Sequence, residues 1–285
     1  MKEQEVSLFV VATPIGNLDD ITFRGKTILQ EVNWIAAEDT RHTMKLLSSF
    51  GIQKELISLH EHSSEQKIQA LVGRLKEGER AAYVSDAGTP GISDPGADLV
   101  KAAWESGLKV SPIPGASAIT ALLSASGFSF SDFAFCGFFP RENRDRERLC
   151  EKILKSAGVY VFYESPHRVR EFCNVLMRFF PEEKMALGRE LTKRYEEIRV
   201  GKVNEICGEL KDRTEILGEF VIALEISKKA ETAEDERFTL VEIQKLLTEL
   251  YDLGANQKIL LATAKALGMK RAVAYDLALE IMKKR

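Results

Sequence analysis

The stretch Tyr83-Val84-Ser85-Asp86-Ala87-Gly88-Thr89-Pro90-Gly91-Ile92-Ser93-Asp94-Pro95-Gly96 decides how this chain is read. The apolar run Ala81 to Ser85 reads as a strand, and it stops where the small polar residues begin. A loop rich in glycine and proline follows, with Asp86, Asp94 and two hydroxyl residues in it. Asp94 is placed to cap the next helix, with Pro95 in its first turn. Such a loop exposes backbone N–H and C=O groups at the carboxyl end of a strand, where open α/β sheets bind ligands.

Working outward, strand-like and helix-like segments alternate. Ser7 to Thr13 is a nearly continuous apolar run, as for a strand buried on both faces. Thr22 to Glu31 reads as a helix and Trp34 to Ala37 as a strand. Ser63 would start a helix, with Gln66 as its capping-box partner and Gly78 as its end. Its apolar stripe is Ile68, Leu71, Val72 and Leu75. Lys109 to Ile113 is a further strand, and Pro114 to Ser117 turns into an apolar helix ending near Gly127. These βα repeats predict a mainly parallel sheet with helices on its faces.

The second half is richer in strands: Phe133–Phe138, Val159–Tyr163, Met185–Arg189, Arg199–Val203 and Gly218–Ile226, with helices around 144–156 and 167–179. A mixed sheet is expected. Lys228 to Arg237 is charged and apolar-poor, as a linker is. Three short helices follow, over 239–250, 257–267 and 270–284, with Gly268 between the last two. They fit a helix-turn-helix unit or, equally, a helical cap or dimerisation element.

The chain has 285 residues, enough for about two domains, and a net charge of −3, so it is no polycation. Its apolar runs are too short to span a bilayer, and Met1 to Glu5 lacks the apolar core of a signal peptide. Cys136, Cys150, Cys173 and Cys207 show no CxxC pairing, which predicts reduced thiols and a cytoplasmic setting.

Thr13 to Leu18 is neither a GxGxxG nor a Walker loop. It joins the turns at Asp86–Pro90 and Pro114–Ser117, however, and a parallel sheet opens all three at one edge. Glu38-Asp39-Thr40-Arg41-His42 reads as an acid–base cluster or as a helix start capped by Asp39 or Thr40. His60-Glu61-His62 lacks a third ligand at metal-site spacing, so no metal site is expected. In Tyr163-Glu164-Ser165-Pro166-His167-Arg168, Ser165 would cap a helix starting at Pro166. His167 and Arg168 would then bind phosphate or polarise a hydroxyl, or merely face solvent. The charge-dense run Arg189 to Glu197 reads by default as a solvated face. Arg141, Arg144, Arg146, Arg148, Lys152 and Lys155 follow Phe138-Phe139-Pro140, a pattern that suits a phosphate-tracking surface flanked by aromatics.

Six blocks in order, Phe9–Leu18, Ala37–Arg41, Ser85–Gly96, Pro114–Ala118, Glu164–Arg168 and Arg189–Lys193, resemble the RsmI family, the bacterial ribosomal RNA small-subunit methyltransferases I of the tetrapyrrole-methylase-like class. The resemblance runs from about residue 6 to residue 226, and the C-terminal helices resemble the family's helix-turn-helix-like extension. It implies an α/β fold of the class III methyltransferase type: domains at 1–117 and 118–228 with a donor cleft between them, and an extension at 229–285. It implies S-adenosylmethionine as donor, the ribose 2′-hydroxyl of a decoding-centre cytidine in 16S rRNA as acceptor, and a homodimer. The family's donor pocket would fall on Pro14, Asp86, Gly88, Thr89, Ser117, Ala118, Tyr163 and Leu191. Glu38, Asp39, Glu164 and His167 are the candidates for moving the hydroxyl proton. Arg41, Arg141, Arg144, Arg168, Arg189 and Lys193 are the candidates for RNA contact. Two other classes remain open: a tetrapyrrole C-methylase with the same cleft, and a non-catalytic RNA-binding assembly factor.

Overall fold

β1 (Leu8–Val11) is buried on both faces because it runs in the middle of a parallel sheet. The computed structural model describes residues 5–60, 63–93, 96–227, 240–267, 269 and 271–283. After β1 a short 3-10 turn, Leu18–Asp20, leads to α1 (Phe23–Glu31), whose Thr22 Oγ1 accepts the Gly25 N–H. β2 (Trp34–Ala37), α2 (Thr40–Ser49), β3 (Glu55–Ser58), α3 (Glu65–Lys76), β4 (Ala81–Val84), α4 (Ala97–Glu105) and β5 (Val110–Ile113) complete the repeats. The strand order is β3-β2-β4-β1-β5, all parallel. Pro112 is tolerated in β5 because that strand is an edge.

Helices cover both faces. Ile28 and Leu29 of α1 and Leu47 of α2 pack with Phe9, Val11 and Ile35 on one side. The α3 stripe Ile68, Leu71, Val72 and Leu75 packs with Leu99 of α4, Trp34 and Tyr83 on the other. Burying such side chains stabilises the sheet by roughly 1.5–3 kcal/mol each.

The second sheet follows α5 (Ala118–Ala125). Its elements are β6 (Phe133–Phe138), α6 (Asn143–Leu154), β7 (Gly158–Glu164), α7 (Val169–Phe179), β8 (Lys184–Arg189), β9 (Glu197–Lys202), α8 (Val203–Asp212) and β10 (Phe220–Ile226). The order is β6-β7-β10-β8-β9, with β6 and β7 parallel and the other pairs antiparallel, so the sheet is mixed as expected. α6, α7 and α8 bury one face around Phe139, Phe162 and Phe172, while Ile119, Leu122 and Leu123 of α5 cover the other. The four cysteines are free thiols, and burial pushes Cys150 up to about 11, so it packs as an inert apolar group.

Residues 1–227 form one compact unit and residues 228–285 a second. In the second, α9 (Leu240–Asp252), α10 (Gln257–Ala266) and α11 (Arg271–Lys283) share a core of Ile243, Leu247, Leu260, Ala264, Ala274, Ala278 and Ile281. The expected linker at Lys228–Arg237 and Gly268 lie outside the described residues. No helix among the described residues is long and apolar enough to cross a membrane.

Three helix starts differ from the sequence reading. The cap of α3 is Ser64, which accepts the Lys67 N–H; Ser63 Oγ instead accepts the His60 N–H. α4 begins at Ala97 with Gly96, at φ 123°, in the cap position; the expected cap Asp94 and Pro95 lie outside the described residues. A Cβ on Gly96 would sit 2.0 Å from the buried Tyr83 ring, which leaves room for glycine alone. α7 begins at Val169 after a turn over 166–168, not at Pro166. β3 and α8 escaped the sequence reading, although Val203, Ile206, Cys207 and Leu210 of α8 carry helical spacing.

Candidate functional site

β4, β1 and β5 are neighbours in the sheet, so the turns that follow them rise side by side. Thr13 and Gly88 exchange backbone hydrogen bonds at 2.9 and 3.0 Å, joining the first two turns. Thr13 Oγ1 donates to the Ser85 carbonyl at 3.3 Å. Thr89 Oγ1 donates to the Ala116 carbonyl at 3.1 Å, which ties in the third turn. The Asp39 N–H donates to Asp86 Oδ1 at 3.1 Å and brings in the end of β2. Four strand ends therefore hold one another through backbone groups and short side chains.

The loop between β8 and β9 closes over them. A Cβ on Gly16 would stand 2.4 Å from Lys193 Cγ and 2.8 Å from the Leu191 carbonyl, so the two loops touch there. Glu190 and Thr192 hold positive φ angles of 50° and 66° without being glycine. Glu190 is fixed by taking the Glu219 N–H at 3.0 Å and Lys193 Nζ at 2.9 Å. Burial pulls Lys193 down, but its bonds to Glu190 and Glu219 outweigh that and hold the ammonium above its ordinary range.

Between these loops lies a cavity of about 440 Å³, of the size that holds a nucleoside-bearing ligand. Ile15, Phe138, Leu191 and Phe220 give it apolar walls; Thr89, Ser117 and Glu164 supply polar groups. Glu164 is 2% exposed. One of its oxygens takes the Ser165 N–H at 2.8 Å; Oε2 makes no hydrogen bond, with Arg168 Nη2 at 3.6 Å. Burial pushes this carboxyl above the usual carboxylate range, against the pull of the Ser165 N–H and Arg168. A second cavity of about 570 Å³ adjoins the first and shares Ile15, Ala87, Lys193 and Glu219 with it.

Of the eight residues expected to hold the donor, Gly88, Thr89, Ser117, Ala118, Tyr163 and Leu191 line the first cavity. Pro14 and Asp86 line the second. Among the four proton-moving candidates, Glu164 alone lines either of these two cavities. Asp39 caps α2 and grips Arg41, whose hydrogen bonds lower its carboxyl to about 2. Glu38 is half-buried outside both cavities, and His167 is exposed on the turn before α7.

The RNA candidates divide. Arg168 donates to the Phe139 and Pro140 carbonyls, Arg189 to the Leu217 carbonyl and Glu197, and Lys193 to two glutamates. These three are engaged inside the fold. Arg41 is 86% exposed although paired with Asp39, and Arg141 and Arg144 are exposed and unpaired. Arg146 belongs to the expected basic stretch yet is buried, bound to Glu171 and the Pro140 carbonyl. The sequence reading gave no site role to Glu190 and Glu219 on the first cavity or to Lys45 on the second; it had Ser165 as a helix cap and His42 in the acid–base cluster. No group of three His, Cys, Asp or Glu among the described residues is set to hold a metal ion.

The sequence matches the family described as Tetrapyrrole (Corrin/Porphyrin) Methylases over residues 7–207. It is 43% identical to the ribosomal RNA small subunit methyltransferase I of Neisseria meningitidis serogroup B, over 96% of this chain and 93% of that one. It is 41% identical to the protein of the same name from Bacillus subtilis, over 81% of this chain and 79% of that one. Among solved structures, diphthine synthase superposes with a TM-score of 0.58 at 15% identity, covering 78% of this chain and 90% of that one. Uroporphyrin-III-C-methyltransferase from Thermus thermophilus gives 0.53 at 17% identity, covering 78% and 94%. At these identities the structures speak for the fold.

Proposed function

The chain belongs to the tetrapyrrole methylases and, within them, to the ribosomal RNA small subunit methyltransferase I family; from that premise we propose that it transfers a methyl group from S-adenosylmethionine to the ribose 2′-hydroxyl of a decoding-centre cytidine in 16S rRNA. The observation that carries this reading is the cavity enclosed by the turns after β4, β5 and β7 and by the β8–β9 loop. Its lining fits the donor's chemistry. A sulfonium is a cation, and Phe138 and Tyr163 offer aromatic faces beside the buried Glu164 carboxyl. Lys193, the one cation among the described residues of the lining, is already bound to Glu190 and Glu219.

When bound, the donor supplies an electrophilic methyl. The protein's part is to align the ribose oxygen with it, and alignment alone supplies much of the rate. Thr89, Ser117 and the backbone of the strand-end turns would orient the donor, and Leu191 and Phe220 would keep water out. Glu164 is the candidate to take the hydroxyl proton as the new O–C bond forms, because its burial keeps it a stronger base than an ordinary carboxylate. The reading takes 1–117 and 118–228 as the two catalytic domains, 229–285 as the linker and extension, a homodimer as the assembly and the cytoplasm as the setting.

The test is labelled methyl transfer to small ribosomal subunits from cells lacking this gene, followed by mapping of the label. A 2′-O-methylcytidine in 16S rRNA is expected; absence of label in 16S rRNA would sink the reading. In single turnover, Glu164→Gln should slow transfer by about a hundredfold or more. If the rate falls no further than donor affinity, positioning suffices without a base.

A further inference from the structure

We propose that Arg168 is a positioning residue for methyl transfer: anchored on the Phe139 and Pro140 carbonyls, it sets a positive charge beside Glu164 without occupying the oxygen that receives the ribose proton. This rests on the methyltransferase reading above and deepens it, moving Arg168 from the RNA surface to the support of the first cavity.

The geometry starts in the turn after β7. The Arg168 N–H donates to the Ser165 carbonyl at 3.1 Å, and Pro166 fixes one φ inside that turn. The turn brings Arg168 back to Glu164, four residues earlier, with Nη2 3.6 Å from Oε2. That spacing is close for a charge pair and too long for a hydrogen bond. The guanidinium stops there because Nη2 donates to the Phe139 and Pro140 carbonyls. The Pro140 carbonyl is held in turn by Arg146 Nε at 2.7 Å. Arg146 is buried, and both oxygens of Glu171 meet its charge. The cation left to act on Glu164 is therefore Arg168.

Glu164 needs such a neighbour. Oε1 takes the Ser165 N–H and Oε2 takes none, so Oε2 is the oxygen free to accept a proton. Burial pushes the carboxyl toward its neutral form, which cannot act as a base. The Ser165 N–H, then Arg168 and Arg146, pull it back, and Glu171 opposes them. Other ionisable groups nearby give no help. In the cavity lining Lys193 sits between Glu190 and Glu219, and His167 on the same turn is exposed. A guanidinium bonded directly to Oε2 would fill that oxygen and weaken the base. Held off by two carbonyls, Arg168 supplies its charge alone.

The experiment is the pH profile of single-turnover methyl transfer to small subunits from cells lacking the gene, at saturating donor. In the parent the rate should fall as pH drops through the Glu164 titration, and Glu164→Gln should remove that limb. Arg168→Met should move the limb to higher pH by about one unit, because the carboxyl loses its cation. Its plateau should fall severalfold as the two carbonyls lose their donor. Arg168→Lys keeps the charge and should bring the limb back toward the parent's position. Donor affinity by calorimetry verifies that each variant is folded. If Arg168→Met lowers the plateau but leaves the limb in place, or Arg168→Lys shifts it as far as Arg168→Met, the positioning role is overturned. If the parent labels RNA but Glu164→Gln keeps the parent's limb, Glu164 is not the base; the role of Arg168 falls while the methyltransferase reading stands. If the parent labels no RNA, the functional reading falls first.

Discussion

Along the carboxyl edge of the first sheet, β2, β4, β1 and β5 are tied by backbone groups, two threonine hydroxyls and one aspartate. Along the facing loops of the second sheet the ties are charged: Glu190 with Lys193, Lys193 with Glu219, and Glu197 with both Arg189 and Arg213. The difference teaches where free charge can be sought. There Arg168, Arg189 and Arg213 are spent on carboxylates and carbonyls of their own fold, whereas Arg141 and Arg144 stay exposed and unpaired. Where the scaffold is backbone, a single lysine such as Lys45 stays available.

The contrast breaks or holds on four substitutions. Gly96→Ala has the largest expected effect, because it combines a left-handed φ with a clash against Tyr83. It should cost about 3 kcal/mol or more by chemical denaturation, and a loss under about 1 kcal/mol would show that the first edge does not depend on its backbone geometry. Gly16→Ala acts where the two edges meet. It should push the β8–β9 loop away and weaken donor binding about tenfold in calorimetry, with stability little changed. Glu197→Gln probes the second edge and should cost about 1–2 kcal/mol at neutral pH by leaving Arg189 and Arg213 without their partner. Hydrogen bonding to Arg213, helped by the charges of Arg213 and Arg189 and opposed by burial, sets the Glu197 carboxyl below its usual range. Its contribution is thus present above the ordinary carboxylate pKa and lost as pH falls through the lowered one; acid unfolding of the variant should be correspondingly flatter. Asp39→Ala is the smallest. Asp39 is the charged exception on the first edge, and its contribution should vanish between its ordinary pKa and about 2, with a drop in Tm of a few degrees at most.

Much of the first edge was legible because its signals are local. Glycine, proline and small hydroxyls mark the turns after β1, β4 and β5, and the α3 stripe is buried where its spacing puts it. Helix starts were less legible, since neighbouring groups compete for the cap: Ser63 serves the His60 N–H and Ser64 serves the helix. The fate of the arginines could not be read at all. Arg189 and Arg168 meet carbonyls 28 and 29 residues away along the chain, which only the fold brings near. Lys45 escaped for the converse reason: on a helix surface it looks ordinary until topology sets the end of β2 beside the turn after β4.

The reciprocal pair between Thr13 and Gly88 has an entropic consequence. Two loops that would otherwise sample many conformations are clasped before any ligand arrives, so their ordering is completed during folding and not charged to each binding event. A methyl donor must enter and its demethylated product must leave in every cycle, and a preorganised wall lets both happen without melting and reforming. The Thr13 and Gly88 amides should accordingly exchange with solvent deuterium as slowly as those of the neighbouring strands.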